Sequence, residues 1–404
     1  MKKAISYLAL VAAMTVAGSA YAQDKTVKIG VLTDMSGLYA DVAGPSAVLA
    51  AQMAVEDSGL LAKGWKIEVI SADHQNKADI AGNISRQWAD QDKVDLIVDG
   101  VNSAAGLAIT VAAKEKNIAY INSGAASSDL TGSACTPNMV HWTYDTYMLA
   151  NGTGKAVVKA GGDSWFFLTA DYAFGQALER DTTAVIKANG GNVLGSVRHP
   201  LNSSDFSSFL LQAQSSKAKI VGLANAGGDT TNSIKQASEF GITAGGQKLA
   251  ALLLFLTDVH SLGLPIAKGL QFTESFYWDM NDQTRAFAAR FQPRMKNKNM
   301  PGMVPAGDYA GVTHYLKALA ALDGNPHDGA KVIAKMKEMP TDDPLFGKGE
   351  IRIDGRAIHP AYLFEVKSPT ESKGEWDLYK LVSTIPAAEA FRPLAESACP
   401  LVKK

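Results

Sequence analysis

Two successive runs of alternating strands and helices, in the same order, constrain this 404-residue chain more than any other feature. The first run reads as strand 27–33, helix 43–57, strand 65–71, helix 80–92, strand 96–99, helix 104–116 and strand 118–122. After a break near 142–146 the order restarts as helix 148–161, strand 164–169, helix 174–188, strand 192–199, helix 205–215, strand 219–224, helix 230–240 and strand 248–256. The strands are short apolar runs, as expected where both faces of a parallel sheet are covered. Right-handed crossovers then put helices on both sides. The expected fold class is α/β, with two Rossmann-like doubly wound lobes.

The likeness between the runs reaches into their loops. The third strand of the first run leads into Asn102, Ser103 and Ala104, and that of the second into Asn225, Gly227 and Asp229. Small residues allow close approach to the backbone, and a following helix offers free N–H groups to an anion. Either loop alone reads equally well as a tight turn. Matched loops at the carboxyl ends of strands in both runs point to a cleft between two lobes.

The partner expected in such a cleft is small. With 39 basic against 40 acidic side chains the chain lacks the charge excess that nucleic acid or an anionic membrane would require. No phosphate loop, dinucleotide fingerprint, nucleophile elbow, H-E-x-x-H or C-x-x-C pattern is present, and the seven histidines are scattered. No enzyme, cofactor or metal is expected.

Lys2 and Lys3, an apolar stretch over 4–17 and Ala20-Tyr21-Ala22 read as a signal peptide over 1–22, with the mature chain starting at Gln23. A membrane anchor is the alternative, but it needs about 20 apolar residues. Export places Cys135 and Cys399 in an oxidising compartment, where a disulfide between them is expected and two buried thiols are the alternative.

The ordered set Val31-Leu-Thr-Asp-Met-Ser-Gly37, Glu56-Asp57, Ile121 to Leu130, Asp171-Tyr-Ala-Phe-Gly175 and Tyr309 to Tyr315 resembles type I periplasmic solute-binding proteins of the branched-chain amino acid (Leu/Ile/Val) class. The resemblance covers essentially the whole mature chain. It implies two lobes joined by three crossovers, a cleft that closes on its ligand, and an ABC permease in the inner membrane as partner, with the protein itself monomeric in the periplasm. On this reading the first lobe takes 23–143 and 278–345, the second 144–277 and 346–386, and a tail over 387–404 is tied back to the first lobe. Asn102, Ser103 and Ala104 resemble a loop that holds a ligand carboxylate. Asn122, Ser123, Gly124, Ala126 and Ser127 resemble a second such loop, with Ala126 where threonine is common. Phe174, beside Tyr172, matches an aromatic that covers the ligand, and 225–229 resembles the second-lobe contact loop.

The acid that pairs with an α-ammonium in amino-acid binders falls, by a looser match, on Lys268. An unpaired buried ammonium costs several kcal/mol, which disfavours an amino acid. Rings expected near the cleft include Tyr39, Tyr147, Tyr172, Phe174, Phe276 and Tyr309 as candidate contacts, together with Trp142, Tyr144, Tyr277 and Trp278. Stacked rings suit a planar ligand, and the chain resembles the subgroup associated with benzoate and cinnamate derivatives. Branched-chain amino acids or amides stay open as ligands, as does a sensor role, and about half of the rings are expected to be core.

Overall fold

The computed structural model describes residues 25–322 and 325–403; the expected signal peptide lies outside them. The first sheet is wholly parallel, in the order β2-β1-β3-β4-β5, with β1 at Thr26–Thr33, β2 at Lys66–Asp73, β3 at Leu96–Asp99, β4 at Ala119–Asn122 and β5 at Met139–His141. The second has the order β7-β6-β8-β9, also parallel, with β6 at Ser164–Ala170, β7 at Asn192–His199, β8 at Ile220–Ala224 and β9 at Lys248–Ala251. The central strands β3, β4 and β8 are buried along their whole length, which is why they read as unbroken apolar runs. These are the two Rossmann-like lobes expected from the sequence.

Several expected elements change when they meet their neighbours. The run 248–256 stops being a strand at Ala251, and residues 252–255 continue as buried loop; four apolar residues report burial, not ladder pairing. The helix expected over 148–161 is Thr146–Leu149 and Lys155–Lys159 around a π-helical turn at Ala150–Gly154. At Gly152 a Cβ would lie 2.2 Å from Thr273 Oγ1, so the segment packs at backbone distance on the strand β10, Gln271–Glu274.

The rest of the chain returns to both lobes. Helix Met303–Ala321 is buried along most of its length and packs against helix Gly44–Asp57 of the first lobe. Gly311 lets it touch β4, since a Cβ there would stand 2.6 Å from Ile121. Short antiparallel strands β11 (Thr341–Asp343), β12 (Gly347–Ile351) and β13 (Ala357–Ile358) follow, and Arg356 bridges to His141 of β5. Residues 347–358 therefore lie against the first sheet, not the second lobe as a division at 345/346 would have it. The chain crosses at His359 and Pro360 into β14 (Ala361–Val366), which pairs antiparallel with β10 and with β15 (Tyr379–Ile385). The tail then runs back to the first lobe, where Cys135 and Cys399 form the expected disulfide.

Candidate functional site

The loops at the carboxyl ends of the strands meet between the lobes. A cavity there is lined by Val101, Asn102, Ser103, Gly124, Ala126, Tyr39 and Tyr144 on one side, and by Tyr172, Phe174, Ala226, Leu253 and Phe255 on the other. Seven of the lining residues were candidates from the sequence: Tyr39, Asn102, Ser103, Gly124, Ala126, Tyr172 and Phe174.

The first-lobe wall is built by hydrogen bonds between its own loops. Asn102, at a φ of 121°, accepts from Ala104 N (2.9 Å) and Ala105 N (3.1 Å) through Oδ1 and so caps the helix Ser103–Lys116. Its Nδ2 is buried and has no hydrogen-bond partner, leaving an unspent donor on a cavity residue. Ala126 N (3.2 Å) and Ser127 N (3.0 Å) donate to Ser103 Oγ, which joins the loop after β3 to the loop after β4. Gly124 is the contact point of those loops, because a Cβ would stand 2.4 Å from Asp99 Oδ1 and 2.8 Å from Val101 Cα.

Rings make the opposite wall. Tyr172 and Phe174 stand 6.0 Å apart by ring centroid, and Tyr144 meets Phe255 edge to face at 6.1 Å. Across the lobes the Tyr39 and Tyr172 hydroxyls share a hydrogen bond of 2.6 Å, and the Tyr39 ring packs on Gly227, where a Cβ would come within 3.1 Å. Tyr144 OH donates to Gly124 O at 2.8 Å. In this closed arrangement the rings leave about 20 Å3 of free space, room for about one water. None of the lining residues is charged.

The remaining candidates hold the frame or the core. Ala104 spends its N–H on the Asn102 cap. Asn122 closes its own loop onto Ala125 N and O, Ser123 faces Asp308 and Gly307, and Ser127 Oγ accepts from Asp129 N. Asn225 binds Ser233 and Thr230, while Asp229 accepts from Asn202 N and Ser203 N; burial pushes its carboxyl up to about 6. Tyr147 lies under the Arg392 guanidinium, Phe276 is fully buried against Phe287 and Phe346, and Tyr309 OH donates to Asp57. Lys268 is exposed and outside the cavity. The cavity also uses Val101, Tyr144, Ala226, Leu253 and Phe255. Val101 and Ala226 were legible as neighbours of candidate residues and Tyr144 as a ring; Leu253 and Phe255 were hidden inside an apparent strand.

Behind the first-lobe wall, Asp99 Oδ2 accepts from Val101 N, and burial, with the Asp34 charge nearby, pushes the Asp99 carboxyl up to about 7. Any anion held at this wall should therefore bind more weakly as pH rises from 6 to 8 and Asp99 gains charge, and Asp99→Asn should flatten that dependence in titration calorimetry. Because the folded state holds this proton more tightly than the unfolded chain, it contributes fold stability that is full below about pH 4 and is lost as pH rises to about 7.

Among the described residues no cluster of His, Cys, Asp and Glu could hold a metal, and no helix is long and apolar enough to cross a membrane. A family model described as periplasmic binding protein matches residues 26–375. A periplasmic binding protein from Burkholderia mallei is 56% identical, with a TM-score of 0.90 over 94% of this chain and 100% of that one. A branched-chain amino acid ABC transporter periplasmic ligand-binding protein from Burkholderia xenovorans LB400 is 40% identical, with a TM-score of 0.82 over 93% and 100%. A solute-binding protein of an ABC transporter from Rhodopseudomonas palustris BisB5, solved in complex with 3,4-dihydroxybenzoic acid, is 24% identical, with a TM-score of 0.79 over 90% and 98%.

Proposed function

We propose, from the premise that this chain belongs to the periplasmic binding protein family, that its inter-lobe cavity captures a small carboxylate, preferably an aromatic acid of the benzoate or cinnamate kind. Proteins of this family bind solutes in the periplasm without turning them over, and serve ABC transporters. In this reading residues 1–22 direct export, the mature protein acts as a monomer, and the closed, loaded form is what the permease receives.

The observation that carries the ligand class is the composition of the cavity. A buried amide donor, Asn102 Nδ2, stands on the wall that begins the helix Ser103–Lys116, rings form the other wall, and no carboxylate lines the space to pair with an ammonium group. A helix N-terminus favours an anion, and rings favour a flat apolar body. The ligand enters when the lobes part and the Tyr39–Tyr172 bond breaks; its carboxylate then meets Asn102 and Ser103, and Tyr172 and Phe174 close on its ring. The crossings at 142–146, 275–279 and 359–360 absorb the rotation as a hinge. The aromatic acid in the Rhodopseudomonas protein is consistent with this preference. The Burkholderia xenovorans relative supports a second reading, a branched-chain amino acid, which would use the same wall.

Asn102→Asp tests the assignment without removing the helix cap, since a side-chain oxygen stays in place and the amide donor is exchanged for a negative charge. Losing a hydrogen bond to a charged group costs about 1.5–3 kcal/mol, so affinity for 4-hydroxybenzoate should fall at least about tenfold. Unaltered affinity in titration calorimetry would move the carboxylate elsewhere.

A further inference from the structure

Beside the ring-lined cavity, between the lobes, lies a second, half-open chamber of about 800 Å3, a volume typical of small-molecule sites. Phe255 lines both spaces, and Ala40, next in the chain to Tyr39 of the inner cavity, lines the outer one. First-lobe residues Met35, Val42, Leu49, Met295, Met300 and Met303 form most of the apolar lining, and Leu256 and Thr257 close it from the second lobe. Thr257 Oγ1 is buried there without a hydrogen-bond partner. The charged groups on its lining, Asp41, Arg294 and Lys296, are all exposed, and Arg294 is held by Glu56 at 2.7 Å.

We infer that the cleft ligand reaches past Phe255 into this chamber, so that the substrate class extends from single-ring acids to monocarboxylates with an elongated apolar body, arylalkyl or alkyl, which bind more tightly. This rests on the reading of Asn102 and Ser103 as the carboxylate wall. Three features carry it. The two spaces share a side chain and adjacent loop residues, so one molecule can occupy both once Phe255 turns. The inner space is about 20 Å3 in the closed form, and the outer one is forty times larger. Four methionines give a polarizable lining that adapts to a flexible chain. A second charged end is disfavoured, because no buried group of opposite charge lines the chamber to receive it.

Titration calorimetry with benzoate, 3-phenylpropionate and 5-phenylpentanoate, and with alkanoates from hexanoate to decanoate, tests the inference. Affinity should rise by up to about fourfold for each added methylene that enters the chamber. Met300→Glu and, separately, Met35→Glu, both at partly exposed positions, should flatten that rise, with melting curves recorded to confirm folding. If lengthening brings no gain, or the gain persists in both folded variants, the ligand does not enter the chamber, while the carboxylate wall stands. If no acid of any length binds, the carboxylate wall fails and the chamber assignment falls with it.

Discussion

Removing the Cys135–Cys399 disulfide is expected to lower the free energy of unfolding by up to about 5.6 kcal/mol, because the bond closes a loop with a sequence separation of 264 residues. The chain-entropy model gives this as its ceiling, and residual structure in the reduced unfolded chain reduces it. The consequence reaches beyond stability, since the tail bound by this clasp touches both lobes. Arg392 donates to Asp181 of the second lobe at 3.1 Å, and its carbonyl accepts from Arg352 of the first-lobe edge at 2.8 Å. In urea, the double variant Cys135→Ser with Cys399→Ser should unfold at a clearly lower midpoint than the oxidised protein, and reduced wild type should match the variant. Coincident midpoints for oxidised and reduced protein would show that the tail adds nothing to the fold.

Arg356→Met is expected to cost about 3–5 kcal/mol, the usual penalty for removing one partner of a buried ion pair. Arg356 is 0% exposed; it donates to Trp142 O at 2.6 Å and to Ala357 O at 3.0 Å, stands 3.6 Å from Asp145, and covers the Phe391 ring at 4.3 Å. Burial lowers its pKa to about 10, and burial raises that of Asp145 against the pull of Arg356. Without the guanidinium, Asp145 and the Trp142 carbonyl stay buried with that partner lost. These residues belong to the first crossing between the lobes, while Arg356 itself precedes the third, so the variant should also weaken ligand binding through Tyr144. Adding Asp145→Asn should recover part of the loss in a double-mutant cycle, because it removes the stranded charge. A single-variant penalty below about 1 kcal/mol, in the range of surface ion pairs, would show that the pair does not join the crossings.

Parallel strands were the most legible part of the fold, because β3, β4 and β8 are buried on both faces and must be apolar throughout. The antiparallel parts were hidden. β12 carries Lys348 and Glu350, and β15 is largely exposed, so neither has a continuous apolar run. At the site, Asn102 and Ser103 were legible because they follow a strand of the first run where the second run has a matching loop at 225–229, a pairing that a tight turn alone would not produce. Rings were less informative. Phe276 and Tyr309 share the chemistry of Tyr172 and Phe174, but the first two fill the first lobe beside Phe287, and only tertiary packing separates the sets. Phe255 escaped notice because the leucines before it are equally apolar in a strand or in a buried loop.

The most direct measurement is titration calorimetry of the mature protein, unfolded and refolded to strip any bound solute, against 4-hydroxybenzoate and against leucine. One-to-one binding of the aromatic acid, with leucine giving no heat, is the result that the proposed reading predicts, since the cavity is lined by the unpartnered Asn102 amide donor and by rings, with no acid for an ammonium group. Binding of leucine or valine with no response to any benzoate or cinnamate would contradict it.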